Sequence, residues 1–292
     1  MKTMRLLRFI VAVHFVVGCL GVSKAGADIL GIEWKTGLVY QIDPITGAAT
    51  PDGQRFILDA FGASSSPQAQ TIYATSGINL WALDLNTGVE TAYGYFNNFP
   101  LAGIADLALD PQSGTLYGRG DIGQLGEAAL FTIDAQDCQC PQPTNLIGPM
   151  NADIYAMGFV PGGGLYGVDT SGSLYSIDIT TGFATLIGPT GISGVGDITY
   201  DSQTGELIVT VIGPPWNGVK TYQSMQYLGP GSIYEINWHT GQATLLNDNA
   251  PDMFALADTT PEPAPWLLLA TALLGLAGLT RLERAVRTAL SN

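Results

Sequence analysis

Between residues 28 and 260, apolar and polar positions alternate with a period of two in short runs that end on Asp or Asn. Such alternation sends successive side chains to opposite faces of a β-strand. Five runs share one form, in which an apolar residue is followed by an aromatic one and, two places on, by Leu or Ile and then Asp or Asn. They are Val39–Asp43, Leu80–Asp84, Leu130–Asp134, Leu174–Asp178 and Ile233–Asn237. Four lead through Thr-Gly (Thr46-Gly47, Thr87-Gly88, Thr181-Gly182, Thr240-Gly241) into a further strand, as tight hairpins with a residue at positive φ require. The third has an insertion carrying Cys138 and Cys140 instead.

A second pattern precedes most copies. Leu107-Ala108-Leu109-Asp110-Pro111 runs through Gly114 to Leu116-Tyr117-Gly118, and Met157–Pro161 runs through Gly164 to Leu165-Tyr166-Gly167. Ile198–Asp201 runs likewise through Gly205 to Leu207-Ile208-Val209. Each unit is therefore four short strands. The aromatic positions Tyr40, Trp81, Phe131, Tyr175 and Tyr234 are 41, 50, 44 and 59 residues apart, the spacing of propeller blades and longer than that of a solenoid. The first unit lacks an innermost strand, and Met253–Ala257 is an innermost strand without a unit. Pairing the two closes a ring and hides the sheet edges. The expectation is an all-β fold, a β-propeller of five four-stranded blades closed by a C-terminal innermost strand. The longer spacings leave room for a degenerate sixth.

Charge divides the chain into three. The formal net charge is −14, yet only Lys35, Arg55, Arg119 and Lys220 lie between Asp28 and Thr260, against 23 acidic residues, a balance of −19. That balance excludes a nucleic-acid partner, which needs a basic stripe. The remaining basic residues sit at the ends. Lys2, Arg5 and Arg8 precede an apolar run, Phe9–Leu20, interrupted by His14, and Ala25-Gly26-Ala27 follows at signal-peptidase spacing. Residues 1–27 thus read as a signal peptide. Val16-Val17-Gly18-Cys19 offers lipoprotein processing at Cys19 as the other route. At the far end, Pro263 to Thr280 is free of charge and long enough for a minimal transmembrane helix, placed at 264–280. Arg281, Arg284 and Arg287 behind it put the C-terminus on the cytoplasmic side.

Pro261-Glu262-Pro263, a Leu/Gly/Ala-rich span and terminal arginines, in this order, resemble the PEP-CTERM sorting signal of exported proteins of Gram-negative bacteria. Glu283 within the basic cluster departs from that pattern. The resemblance implies that Pro261, Glu262 and Pro263 are read by an exosortase-type enzyme. The protein would sit transiently in the inner membrane and then reach the cell surface or the exopolysaccharide matrix. It implies nothing about what residues 28–260 do.

Candidate chemistry in that middle is sparse. The strand-two-to-three loops and the connections between blades share one face. Two segments there depart from the repeat: Gly118–Ala129, with Arg119, Asp121 and Glu127, and Gly213–Gly231, with Trp216, Asn217, Lys220, Tyr222 and Tyr227. Rings, amides and a cation suit polysaccharide or another surface protein, unless the longer loop folds over its own blade. Asp106, Asp197 and Asp252 precede innermost apolar runs. They either converge on the channel mouth and hold Ca²⁺ or cap their own turns. Cys138 and Cys140 form a strained disulfide or a crosslink to another chain. After signal removal His239 is the only histidine, in a turn on the opposite face. No Ser/His/Asp set, zinc cluster or phosphate loop is present. The expected function is a non-enzymatic binding or structural scaffold without a required cofactor. The alternative is a secreted hydrolase or lactonase working through carboxylates and a metal ion.

Overall fold

A computed structural model describes residues 29–57, 59–66, 71–77, 79–95, 101–122, 127–134, 143–213 and 230–259. Residues 1–28, which include the expected signal peptide and Cys19, lie outside these, as do Cys138, Cys140, residues 214–229 and residues 260–292. Among the described residues no helix is long and apolar enough to cross a membrane.

Twenty strands form five antiparallel four-stranded sheets. The first is β20 (Met253–Asp258), β1 (Ile29–Glu33), β2 (Leu38–Ile42) and β3 (Ala49–Arg55), from the inside outward. The second is β4 (Gly62–Ser65), β5 (Thr71–Ser76), β6 (Asn79–Asp84) and β7 (Glu90–Tyr95). The third is β8 (Leu101–Leu109), β9 (Leu116–Ile122), β10 (Glu127–Ile133) and β11 (Pro143–Pro149). The fourth is β12 (Ile154–Val160), β13 (Gly164–Asp169), β14 (Ser173–Ile177) and β15 (Ala184–Pro189). The fifth is β16 (Val195–Asp201), β17 (Glu206–Val211), β18 (Gly231–Ile236) and β19 (Ala243–Ala250). The innermost strands touch in the cycle β4, β8, β12, β16, β20 and back to β4. This is a five-bladed ring, with no sixth sheet among the described residues.

Closure follows the expected route. β20 pairs with β1 in the register Ile29↔Asp258, Leu30↔Ala257 and Gly31↔Leu256. Phe254 is fully buried there, 5.8 Å from the Trp34 ring and 6.4 Å, edge-on, from Phe61. Apolar residues of neighbouring sheets interlock between blades, as Ile72 and Leu83 of the second do with Leu30 and Val39 of the first.

The third-to-fourth-strand turns among the described residues satisfy their own backbone. The Asp43 carboxylate accepts the Ile45 and Thr46 N–H groups at 2.9 and 3.1 Å, and Asp178 accepts Thr180 N–H at 2.8 Å. Asn237 repeats the arrangement with His239 and Thr240. Gly182, at φ 80°, supplies the left-handed residue the turn needs. These turns, with the first-to-second hairpins, define one face of the ring, called the turn face below. The opposite face carries the second-to-third loops and the blade connections.

Candidate functional site

The centre of the ring is built by five equivalent positions, one on each innermost strand: Gly62, Asp106, Ala156, Asp197 and Ala255. The next residue on each strand turns its N–H toward the axis, away from its own sheet. Asp106 accepts the N–H of Leu107 at 2.7 Å and that of Met157 on the neighbouring blade. Asp197 accepts those of Ile198 at 2.7 Å, Ala63 at 3.3 Å and Leu256. Every blade thus delivers one inward N–H to one of two carboxyl groups, which also hydrogen-bond each other. Three small residues leave the room. A methyl group at Gly62 would overlap both the carboxylate and the Cα of Asp106.

Both carboxyls are shut away, 1% and 0% exposed. Burial pushes the Asp106 carboxyl well above its ordinary range, and the charge of Asp197 adds to the rise. Burial also raises Asp197, while its backbone donors from Leu256, Ile198 and Ala63 oppose the shift. Both carboxyls are therefore pushed toward the protonated form, and they titrate as a pair rather than as two separate groups. Inward N–H groups make this a place for an anion, and the fold supplies that anion itself. The oxygens that a Ca²⁺ ion would need are spent on amides. Among the described residues, no three His, Cys, Asp or Glu side chains group so as to hold a metal ion.

Asp252 does not join the pair. It lies three residues before the axial position of β20, about 10 Å along the strand. There its carboxyl accepts Gly213 N–H at 2.9 Å and its carbonyl accepts Trp34 N–H at 3.2 Å. Burial raises its pKa, against the Gly213 bond and the charge of Lys35. Nor do Asp106 and Asp197 cap turns. Apart from the residue following each, their partners are on other blades.

Within Gly118–Ala129 the described residues are corrected from loop to strand, while 123–126 lie outside the described residues. Gly118 to Ile122 belong to β9 and Glu127 to Ala129 to β10, in the register Gly118↔Phe131, Arg119↔Leu130 and Gly120↔Ala129. Gly118 is small because Phe131 covers it, and a Cβ there would collide with that ring. Arg119 is 1% exposed and turned inward, with Nη1 2.8 Å from Asp121 and Nη2 3.1 Å from Asp153. Its Nε has no hydrogen-bond partner among the described residues. Arg119 also opposes the burial and the axial carboxylates that raise the pKa of the buried Tyr155. Its charge serves the interior and is not displayed to a ligand. Trp216, Asn217, Lys220, Tyr222 and Tyr227 lie outside the described residues.

Below the pair, toward the turn face, the axis opens into a funnel of about 410 Å³. Ser64, Ser65, Gln112, Phe159, Thr199 and Asp258 are among its lining residues, which come from all five blades. None was singled out in the sequence. The signal that would have found them is the strand period. Ser65, Leu109, Phe159, Tyr200 and Asp258 each stand two residues beyond the N–H groups that hold the axial pair.

Fold and axis together define a five-bladed β-propeller with a self-sealed channel. No protein-family model matches the sequence, and no curated protein matches it. Among solved structures the chain is similar to one in the crystal structure of a nidogen/laminin complex, with a TM-score of 0.51 and 14% identity, covering 82% of this chain and 100% of that one. A chain of Kuenenia stuttgartiensis hydrazine synthase aligns at a TM-score of 0.42 and 14% identity, covering 68% of this chain and 52% of that one. At such identity the first likeness shows the fold alone, and the second carries no argument.

Proposed function

We propose that this chain is an exported propeller of the cell surface or extracellular matrix, acting as a non-enzymatic binding scaffold. The observation that carries the reading is the axial pair. The two carboxyl groups most perturbed by their surroundings are sealed and committed to backbone amides, so they hold blades together. A hydrolase or lactonase would need a carboxylate open to substrate, and these two are closed to solvent. A propeller chain from a nidogen/laminin complex, a binding assembly, shares the fold and supports a protein partner.

Export rests on the sequence of the ends. Pro261-Glu262-Pro263, the 264–280 span and Arg281, Arg284 and Arg287 form the sorting signal read by an exosortase-type enzyme, after transit through the inner membrane. Deletion of residues 261–292 is the test. In a Gram-negative host the shortened protein should keep its melting temperature but fail to reach the surface, scored by protease shaving and immunodetection. Unchanged surface delivery would overturn the sorting assignment.

A further inference from the structure

The funnel on the turn face is a concave site in the open part of the axis, and it differs chemically from the rest of the domain. Of the seventeen described residues that line it, only Asp258 carries a formal charge. The 28–260 segment as a whole holds 23 acidic and four basic residues. A wall that avoids charge in so acidic a domain favours a ligand without charge.

The lining offers polar groups that an apolar ligand would leave unsatisfied. Ser64 Oγ accepts Leu109 N–H from the next blade at 3.0 Å, which leaves its hydroxyl proton to donate. The side chains of Ser65, Gln112 and Thr199 make no hydrogen bond among the described residues, and all three face the funnel. Phe159 adds a half-buried ring, backed by Tyr117 at 5.6 Å and held at a fixed tilt. Hydroxyls and an amide sharing one funnel with a half-buried aromatic ring match a sugar ring, which presents C–H groups on its face and hydroxyls on its edge. The volume lies in the lower part of the roughly 300–1,000 Å³ range of small-ligand sites, room for a monosaccharide or disaccharide.

We infer that the funnel binds the uncharged end of a carbohydrate chain. The ring of Phe159 stacks on the sugar, and Ser64, Ser65, Gln112 and Thr199 hydrogen-bond its hydroxyls. The floor is rigid because the carboxyl pair ties all five innermost strands directly beneath the sugar. The inference deepens the binding-scaffold reading and rests on it, and it moves the ligand away from the loop face, where the sequence places it.

The test uses the full chain in a sugar-free detergent. Saturation-transfer NMR and calorimetry are run with glucose, galactose, mannose, N-acetylglucosamine and their β-linked disaccharides, and with glucuronate as the charged counterpart. Each is titrated to about 10 mM, tenfold above a 1 mM dissociation constant. At least one neutral sugar should bind, and Phe159→Ala and Ser65→Leu should each weaken it tenfold or more with the melting temperature checked. If Ser65→Leu fails to fold, Thr199→Ala replaces it, with a loss of threefold or more expected. Binding equal in wild type and variants would overturn the funnel while leaving the scaffold reading in place. Glucuronate bound as tightly as glucose would overturn the choice of an uncharged ligand. No binding of any neutral sugar by the wild type would overturn the inference outright. The scaffold reading would then be judged by capture of matrix proteins on the same chain.

Discussion

Asp106 and Asp197 do for this ring what a bound anion would do, with no concentration dependence. Left unpaired, each inward N–H would cost about 1–3 kcal/mol, and one comes from each blade. Removing charge from a buried pair is a separate matter from removing the pair. Burial raises both carboxyls of the pair above the unfolded value near 3.8, so around that pH the folded form binds more protons than the unfolded chain. The pair's contribution to stability is therefore fully present in acid and is lost as pH rises from about 3.8 through the raised folded values. Asp106→Asn removes one titrating carboxyl, and its amide stands in for the protonated form at the expense of one backbone bond. The variant should be less stable in acid and show a flatter melting temperature between about pH 4 and pH 8. A wild-type slope retained in the variant would contradict the raised carboxyl at position 106. The turn carboxylates act in the opposite direction, since backbone N–H bonds lower the pKa of Asp84 and hydroxyl and backbone bonds that of Asp178, but both sit at the surface and shape only their hairpins.

Among the elements, β20 carries the closure. It is the last strand among the described residues and the innermost of the first blade, so the ring is shut by side chains and ladder bonds. Phe254 is its largest anchor. Phe254→Ala should destabilise the domain by about 3–5 kcal/mol, read as a lower urea midpoint, with a growing tendency to associate through the opened edge. An unchanged midpoint would show that the ladder, not the ring cluster, holds the clasp. The blades were legible because the Asp-Thr-Gly turn repeats and the strands alternate, and the orphan run at Met253 announced the closure. β4 was not legible. Gly62-Ala63-Ser64-Ser65 has the composition of a linker, and it is a strand only because the axis needs small residues there. Arg119 misled for the converse reason. Gly118-Arg119-Gly120-Asp121 looks like an exposed loop until Phe131 accounts for Gly118 and the buried guanidinium for the charge. Asp252 was matched to the axial aspartates by its place before an apolar run. Register along a strand of period two is not readable from one sequence, and Asp252 falls three residues short.

At the scale of the whole molecule, two faces divide the work. The loop face carries the irregular connections and Asp252. The turn face carries short self-capped hairpins around an open, nearly charge-free funnel. Net negative charge keeps such a domain soluble and discourages contact with anionic surfaces, leaving the funnel as the place where approach is not electrostatically penalised. The partner of Ile29 across the ladder is Asp258, so the two ends of the folded ring lie one strand spacing apart, about 5 Å. Topologically the domain is a circle that happens to be cut between the innermost and second strands of one blade. A short Gly/Ser linker from Thr259 to Ile29, with new termini opened at the exposed Thr87-Gly88 turn, should yield a circular permutant with near-native circular dichroism and cooperative melting. In that molecule the seam moves to an outermost strand. A permutant that failed to fold would mean that the seam beside the axis is where folding must finish, and the cut in the natural chain is then part of how the ring assembles.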